Sequence, residues 1–351
     1  MKKDRPLRVL ESFGAPRKTT NPYIWQLAQT LDDQPQCELL LFSFRRAIFG
    51  SYDVFHVHWP EVIYTGHGPL KSIARETLTA LLTARLAVSR KRVVRTWHNI
   101  APHANMTWRQ RLLNRWIEGL TTHNIRLNEV TEPAPSVPTT TILHGHYRDW
   151  FAPYAAEAQI PGRIAFVGLI RRYKGVEHLI EAFGELDRPD LSLSISGKAS
   201  TQELRDSLVD LGKGRPAIDF SFEYLTAAEL VRTITRAELV VLPYTFMHNS
   251  GAALAALSLN RPVLVPDTEV NRKLSIEVGP GWVYFFSGNL QGVELDAALN
   301  ARNANPPQNQ PNLDARAWEK AGTEHVRVFA RAVGCGRVPS GKTLHAGLGT
   351  R

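Results

Sequence analysis

Short apolar runs alternate with longer stretches of helical spacing along this chain, and the alternation occurs twice. Residues 7–12, 38–42, 52–59 and 92–96 read as strands, and 125–128 and 140–143 close the first half. Helical periodicity marks 23–31, 70–88 and 108–120 between them. In the second half, strands at 163–167, 191–196, 218–222 and 239–242 alternate with helices at 176–183, 201–211 and 227–236. Apolar strands interleaved with helices predict parallel sheets covered on both faces. Two halves of this kind predict an α/β protein of two Rossmann-like domains facing across a cleft, one over 1–152 and one over 153–312. A last helix at 313–333 is expected to pack back toward the first domain, and a glycine-rich tail at 334–351 to be disordered. The Pro-, Asn- and Gln-rich stretch 300–312 reads as a loop.

The stretch VVLPYTFMHNSGAALAALSLNRPVLVP at 240–266 organises the second half. It reads as strand, loop, helix and strand, with Asn249, Ser250 and Gly251 at the helix N-terminus. Free amides there favour an anion such as a diphosphate, although Asn249 or Ser250 acting as a plain cap accounts for the same residues. A second loop, GLIRRYKG at 168–175, brings Arg171, Arg172 and Lys174 to a strand–helix turn. Cations at that place neutralise a diphosphate leaving group. The two loops together make a candidate donor site of Gly168, Arg171, Arg172, Lys174, Tyr244, His248, Asn249, Ser250 and Gly251, with Gly197 and Lys198 at the next strand end.

Composition narrows the class. Apolar residues make up 43% and charged residues 21%, as in a folded chain, and no apolar run is long enough to span a bilayer. No apolar segment precedes the first strand, so no export signal is expected, and two distant cysteines fit a reduced cytosolic setting. The net charge of +9 is lopsided: residues 1–150 hold 20 Lys+Arg against 12 Asp+Glu, and residues 151–351 hold 22 against 21. Nucleic acid, anionic lipid and acidic substrates all attract such a half. Its cations and tryptophans (Arg85, Arg90, Lys91, Arg92, Trp108, Arg109, Arg111, Arg115 and Trp116) fall in the stretches 71–92 and 108–120 and suit an anionic membrane surface.

Ligands bind beyond the carboxyl ends of parallel strands, which places 56–61 and 97–103 at a site edge. Glu61, His58 and His98 are the candidate general bases. His56 and His58 are read as pointing to opposite faces of their strand, one of them into the core, so a shared metal is not expected. No HExxH motif or paired cysteines argue for one, and no metal or cofactor is predicted.

These motifs resemble a known family. The GLIRRYKG loop, Leu242-Pro243 and Arg261-Pro262-Val263 are similar to the C-terminal domain of GT-B glycosyltransferases. TNPY at 20–23, YDVFHVHWPE at 52–61, VRTWHNIAPH at 94–103, TILHGHYRDWF at 141–151, MHNSG at 247–251 and EVGPGWV at 277–283 resemble the GDP-mannose-dependent glycolipid mannosyltransferases of xanthan-type exopolysaccharide assembly. The resemblance runs from Thr20 to Val283. It implies transfer of mannose from GDP-mannose to a polyprenyl-diphosphate-linked oligosaccharide ending in glucuronic acid, by a peripheral protein at the cytoplasmic face of the inner membrane. It also implies an acceptor site including Asn21, Tyr23, Trp59, Asn99 and His103.

The chain departs from the wider retaining GT-B pattern. Met247 and Ala255 stand where that pattern has two glutamates, and Leu169 stands where it has an arginine. His248, Asn249 and Ser250 are candidate replacements for the sugar contacts, and Arg171 or Arg172 for the arginine. An α-linked donor and a β-linked product require inversion, hence one in-line attack and a base. A GT-B enzyme using a UDP-sugar and a nucleotide-sugar epimerase are the alternatives on the same fold. A nucleic-acid-binding module is the alternative outside it, and it lacks a recognisable motif.

Overall fold

The computed structural model describes residues 5–15, 20–66, 68–89, 91–98, 106–133, 136–307 and 309–334. The chain forms two compact units. Unit 1 comprises Met1–Arg126, Glu132–Ile142 and Glu319–Arg351; unit 2 comprises Leu127–Thr131 and Leu143–Trp318.

In unit 1, chain order runs β1 (Leu7–Glu11), α1 (Pro22–Asp32), β2 (Cys37–Leu40), α2 (Phe44–Phe49), β3 (Val54–Val57), α3 (Pro60–Tyr64), α4 (Pro69–Val88), β4 (Arg92–Trp97), α5 (Trp108–Leu120), β5 (Thr121–Arg126) and β6 (Thr139–Thr141). Local chemistry sets the helix starts. The Asn21 side chain accepts from Tyr23 N ahead of Pro22, and Thr107 and Gln110 form a reciprocal capping box at α5. The strands pair in parallel in the order β2-β1-β3-β4-β5-β6 over a core that includes Leu10, Phe55, Ile63, Leu82 and Ile117. Chain direction across the sheet reverses at β1/β3, and the crevice outside those strand ends is where a parallel sheet binds ligands.

Unit 2 continues with α6 (Arg148–Phe151), β7 (Arg163–Val167), α7 (Val176–Gly184), β8 (Ser192–Ser196), α8 (Gln202–Gly212), β9 (Ile218–Ser221), α9 (Ala227–Arg236), β10 (Leu239–Val241), α10 (Gly251–Ser258), β11 (Val263–Pro266), α11 (Glu269–Val278), β12 (Val283–Phe286) and α12 (Gly292–Ala304). Its parallel sheet has the order β12-β11-β10-β7-β8-β9, so its switch point lies between β7 and β10. The last helix, α13 (Trp318–Ala332), belongs to unit 1 from Glu319 onward.

Several elements differ from expectation. The strand expected at 125–128 is β5, Thr121–Arg126, whose buried Thr and His residues hide it from an apolar count. Residues 127–131 belong instead to unit 2, where Asn128 Oδ1 accepts from Val130 N and Thr131 N at 2.7 and 2.8 Å. Residues 300–304 are the last turn of α12, not loop, because a box of Gln291 and Glu294 starts an Ala- and Leu-rich helix that carries through them. The final helix is preceded by a 3-10 turn at Asp314–Arg316. Residues 335–351 of the expected tail lie outside the described residues.

Candidate active site

The unit 2 switch point is built by glycines. Gly175 has φ +59, and a Cβ there would lie 2.2 Å from Pro243 O; Gly197 has φ +146, and a Cβ would lie 2.0 Å from Gly168 O. Only glycine lets the GLIRRYKG loop close against the strand ends of β8 and β10. The closure brings Lys174 Nζ to 5.0 Å from the Tyr244 ring centroid, directly over Gly168. Burial pushes the Tyr244 phenol up and the nearby Ser250 side chain acts against it, and Ser250 Oγ accepts from Ala253 N at 3.2 Å to cap α10. Lys174, Tyr244, Ser250, Gly251 and Gly168 therefore converge. Burial and then Arg171 push the Lys174 ammonium down to about 8. Among the described residues no carboxylate pairs with Lys174, so a partly buried cation stands beside a helix N-terminus. That arrangement suits a bound polyanion.

Other expected donor residues lie elsewhere. Arg172 points outward and pairs with Glu203 at 2.9 Å, both exposed, so it is not part of this convergence. Lys198 is exposed, and its backbone oxygen accepts from Ile170 N at 2.9 Å. His248 and Asn249 hold residues 127–131: His248 Nε2 is 2.6 Å from Thr131 Oγ1, and Asn128 Nδ2 donates to Asn249 Oδ1 at 2.8 Å. The cavity beside them, about 30 Å³ and lined also by His144 and Arg316, has room for a water but not a hexose.

The unit 1 switch point holds a different cluster. Glu11 ends β1, fully buried, and its two oxygens lie 2.8 Å from His56 Nδ1 and 3.1 Å from His58 Nε2. Residues two apart on a strand share a face. His56 and His58 therefore meet one carboxylate, which corrects the expectation of opposite faces. His56 Nε2 is 2.8 Å from Thr96 Oγ1, and His58 Nδ1 is 3.0 Å from His98 Nε2. Burial pushes the Glu11 carboxyl up, but His56 and His58 outweigh it and hold the group at about 2. Burial and then His56 push His58 down to about 4. Glu11, His56 and His58 offer three ligand-type atoms within 4.8 Å of one another, a donor set that also suits a cation.

His98 stacks on Trp59 with ring centroids 3.9 Å apart and meets the edge of Tyr23 at 5.0 Å. Trp59 and Tyr23, expected to touch an acceptor, thus frame His98, and Tyr23 is buried as core. Asn21 caps α1. Glu61 sits in the first turn of α3, half-buried beside Tyr64, whose phenol is pushed up by burial and then by Glu61. Arg90, Asn99 and His103 lie outside the described residues.

The expected membrane residues divide. Arg85 donates to Ala47 O at 2.9 Å and Gly50 O at 2.5 Å, and Lys91 donates to Tyr52 O; both lie over the Tyr52 ring. These two fasten the turn between α2 and β3, so their charges serve the fold. Arg109 pairs with the buried Glu76 at 2.7 Å. Arg92, Arg111, Arg115, Trp108 and Trp116 are exposed.

A protein-family model described as "Glycosyl transferases group 1" matches residues 161–283. The chain is 42% identical over 329 residues to a GDP-mannose:glycolipid 4-beta-D-mannosyltransferase of Xanthomonas campestris pv. campestris, covering 93% of each. This chain belongs to the family of that glycolipid mannosyltransferase. The starch synthase IV catalytic domain from Arabidopsis thaliana, bound to ADP and acarbose, superposes with a TM-score of 0.64 at 10% identity, covering 95% of this chain and 100% of that one. Sucrose-phosphate synthase from Thermosynechococcus elongatus gives 0.57 at 14% identity, covering 94% and 96%. Both show the GT-B fold alone.

Within this glycosyltransferase, the departures from the retaining pattern have structural places. Met247 is buried with its sulfur 3.5 Å from Asn271 Nδ2, and Ala255 is buried in α10, so neither position offers a carboxylate. The sequence reading missed Glu11, although a single acid ending the run LRVLE was its signal. It also missed Asn128, His144 and Arg316, which no local pattern marks; Arg316 pairs bidentately with Glu277 and donates to His144 O at 3.1 Å.

Proposed function

We propose that this glycosyltransferase moves mannose from GDP-mannose to a polyprenyl-diphosphate-linked oligosaccharide ending in glucuronic acid, with inversion to a β-mannoside, during exopolysaccharide repeat-unit assembly. The observation that carries the donor half is Lys174, a partly buried cation that no described carboxylate pairs with, beside Tyr244, Ser250 and the α10 N-terminus. Mannose, GDP and the glycolipid come from the likeness to the Xanthomonas enzyme, whose name states them.

In the proposed reaction, Lys174, Arg171 and the amides at Ser250–Gly251 stabilise the departing diphosphate. The acceptor hydroxyl attacks C1 in line while a unit 1 base takes its proton. No metal is needed in this scheme, and EDTA is expected to leave the rate unchanged.

The same proposal places the protein at the cytoplasmic face of the inner membrane, on anionic lipid. In support, α4 turns Leu70, Ile73, Leu81 and Val88 outward, with Leu70 and Val88 82% and 87% exposed, and α5 exposes Trp108, Arg111, Arg115 and Trp116. The acids of these two helices, Glu76 and Glu118, are already paired with Arg109 and Arg95. An apolar and cationic face of this kind suits an anionic interface.

The test supplies labelled GDP-mannose and a polyprenyl-diphosphate oligosaccharide ending in glucuronic acid. Label in the lipid fraction, released as a β-mannoside, is the expected result. Preference for a UDP-sugar, or an isomerised donor without transfer, would replace this reading with one of its alternatives.

A further inference from the structure

We propose that Asn128 and Thr131 are positioning residues for the donor: through Asn249 and His248 they hold the loop between β10 and α10 so that the helix N-terminus stays beside Lys174. This role rests on the donor-site reading above and brings in a segment, 127–131, whose neighbours in sequence on both sides, Arg126 and Glu132, belong to unit 1. Residues 242–250 contain no helix or strand, so contacts with other segments set their shape. At the near end, Thr245 N and Thr245 Oγ1 both donate to Tyr173 O at 3.0 Å, which ties the loop to the turn carrying Lys174. At the far end, beside Ser250, two residues of 127–131 reach it. His248 Nε2 is 2.6 Å from Thr131 Oγ1, and Asn249 Oδ1 accepts from Asn128 Nδ2 at 2.8 Å.

Hydrogen-bond polarity explains why asparagine stands at 128. Its Oδ1 accepts from Val130 N and Thr131 N at 2.7 and 2.8 Å, which closes a turn on the residue itself. With the oxygen so engaged, the amide nitrogen faces the other way. It donates to Asn249 and lies 3.3 Å from His248 Nε2. The oxygen shapes 127–131 and the nitrogen holds the donor loop. Asn128, Thr131 and His248 are buried, so a lost partner is not simply replaced by bulk water.

The helix end has little slack. Ser250 follows Asn249 directly and caps α10 through Ala253 N at 3.2 Å. A Cβ on Gly251 would lie 3.1 Å from the Tyr147 hydroxyl, so the first turn is closely packed there. A displaced Asn249 therefore displaces the amides that face the diphosphate. Another side-chain tie of the segment, Glu129 to Lys273 at 3.2 Å, is exposed and runs to α11, away from the donor loop, so it serves as the control.

The first measurement needs no variant. A segment that holds the donor site is held by the donor in return, so ligand must protect both. Amide hydrogen exchange of the full chain, followed by NMR with and without GDP, is expected to slow at Val130 and Thr131, whose amides bond Asn128 Oδ1, together with the first turn of α10. Protection of α10 with none at Val130 and Thr131 would overturn the positioning role even if no variant folds. The second measurement is calorimetric titration of GDP-mannose. Thr131→Val and Asn128→Ser, which keeps a turn-forming hydroxyl but loses the reach to Asn249, are each expected to weaken binding about 3–10-fold. Thr131→Ser should restore most of it, and Glu129→Gln should stay within about twofold of wild type. KM for the donor should rise more than kcat falls, which a general loss of folding would not produce. Wild-type affinity in both Thr131→Val and Asn128→Ser would reject the positioning role. A wild-type chain that prefers UDP-glucose would instead reject the GDP-mannose reading, and the exchange measurement repeated with UDP still decides the role of 127–131.

Discussion

At the ends of β1 and β3, unit 1 gathers groups that exchange protons: Glu11, His56, His58 and, from the next strand, His98. At the corresponding switch point between β7 and β10, unit 2 gathers groups that hold negative charge: Lys174, Tyr244, Ser250 and the amides of α10. Both sheets are parallel and six-stranded, although their strand orders differ, and topology fixes where a site lies in each. It does not fix what the site does. In unit 1 the cluster is made of side chains sunk among β-strands, where burial strengthens every hydrogen bond they make. In unit 2 it depends on glycines, because Gly175 and Gly197 let backbone approach backbone and leave Lys174 over the gap.

Turnover should separate the two switch points most strongly. Replacing the candidate base His98 should cost about 10²–10⁴-fold in kcat, whereas Glu61→Gln, in the first turn of α3, should stay within about threefold. A collapse of kcat in Glu61→Gln, with the donor still bound, would make Glu61 the base. The next effect belongs to unit 2. Gly175→Ala puts a methyl 2.2 Å from Pro243 O at φ +59, so the phosphate loop must open. Donor affinity is expected to fall about tenfold or more, roughly 1–3 kcal/mol of strain.

How much of this was legible depends on the physical signal. Most strands of the two sheets and the Lys174 loop were readable because apolar periodicity and glycine–cation spacing are local, whereas β5 was misplaced and β12 was not foreseen. The Glu11–His58 contact was not readable. It joins residues 47 apart, and only the register of β1 with β3, Glu11 opposite His56, makes them neighbours. His248 and Asn249 looked like ligand contacts because they precede a helix, but they hold residues 127–131, a long-range role without a sequence pattern. Arg85 and Lys91 resembled a basic surface, yet carbonyl oxygens of a turn claimed them.

Two smaller effects concern pH, and their signs differ. If Lys174 binds the donor as the cation, as proposed, its ammonium, held down at about 8, makes GDP-mannose affinity weaken as pH rises through about 8. Calorimetric titration at pH 7 and pH 9 checks this, and Lys174→Arg should flatten the dependence. In the acid range, His58 and His325 sit at about 4 and 3 in the folded chain, below their ordinary value near 6.5. The unfolded chain therefore binds more protons below pH 6.5, and stability should fall as pH drops from about 6.5 toward 4. The melting temperature across that window should drop less in a His325→Gln variant.

The most direct test of the division between the units is a titration of GDP-mannose into three full-length proteins: wild type, Lys174→Ala and His98→Gln. The same samples are then assayed for transfer, and UDP-glucose serves as the competing donor. The account predicts that wild type and His98→Gln bind GDP-mannose equally and in preference to UDP-glucose. It also predicts that Lys174→Ala binds at least about 30-fold more weakly, as expected for a lost buried charge contact, and that only wild type transfers mannose at full rate. Unchanged binding by Lys174→Ala, or weakened binding by His98→Gln, would contradict it.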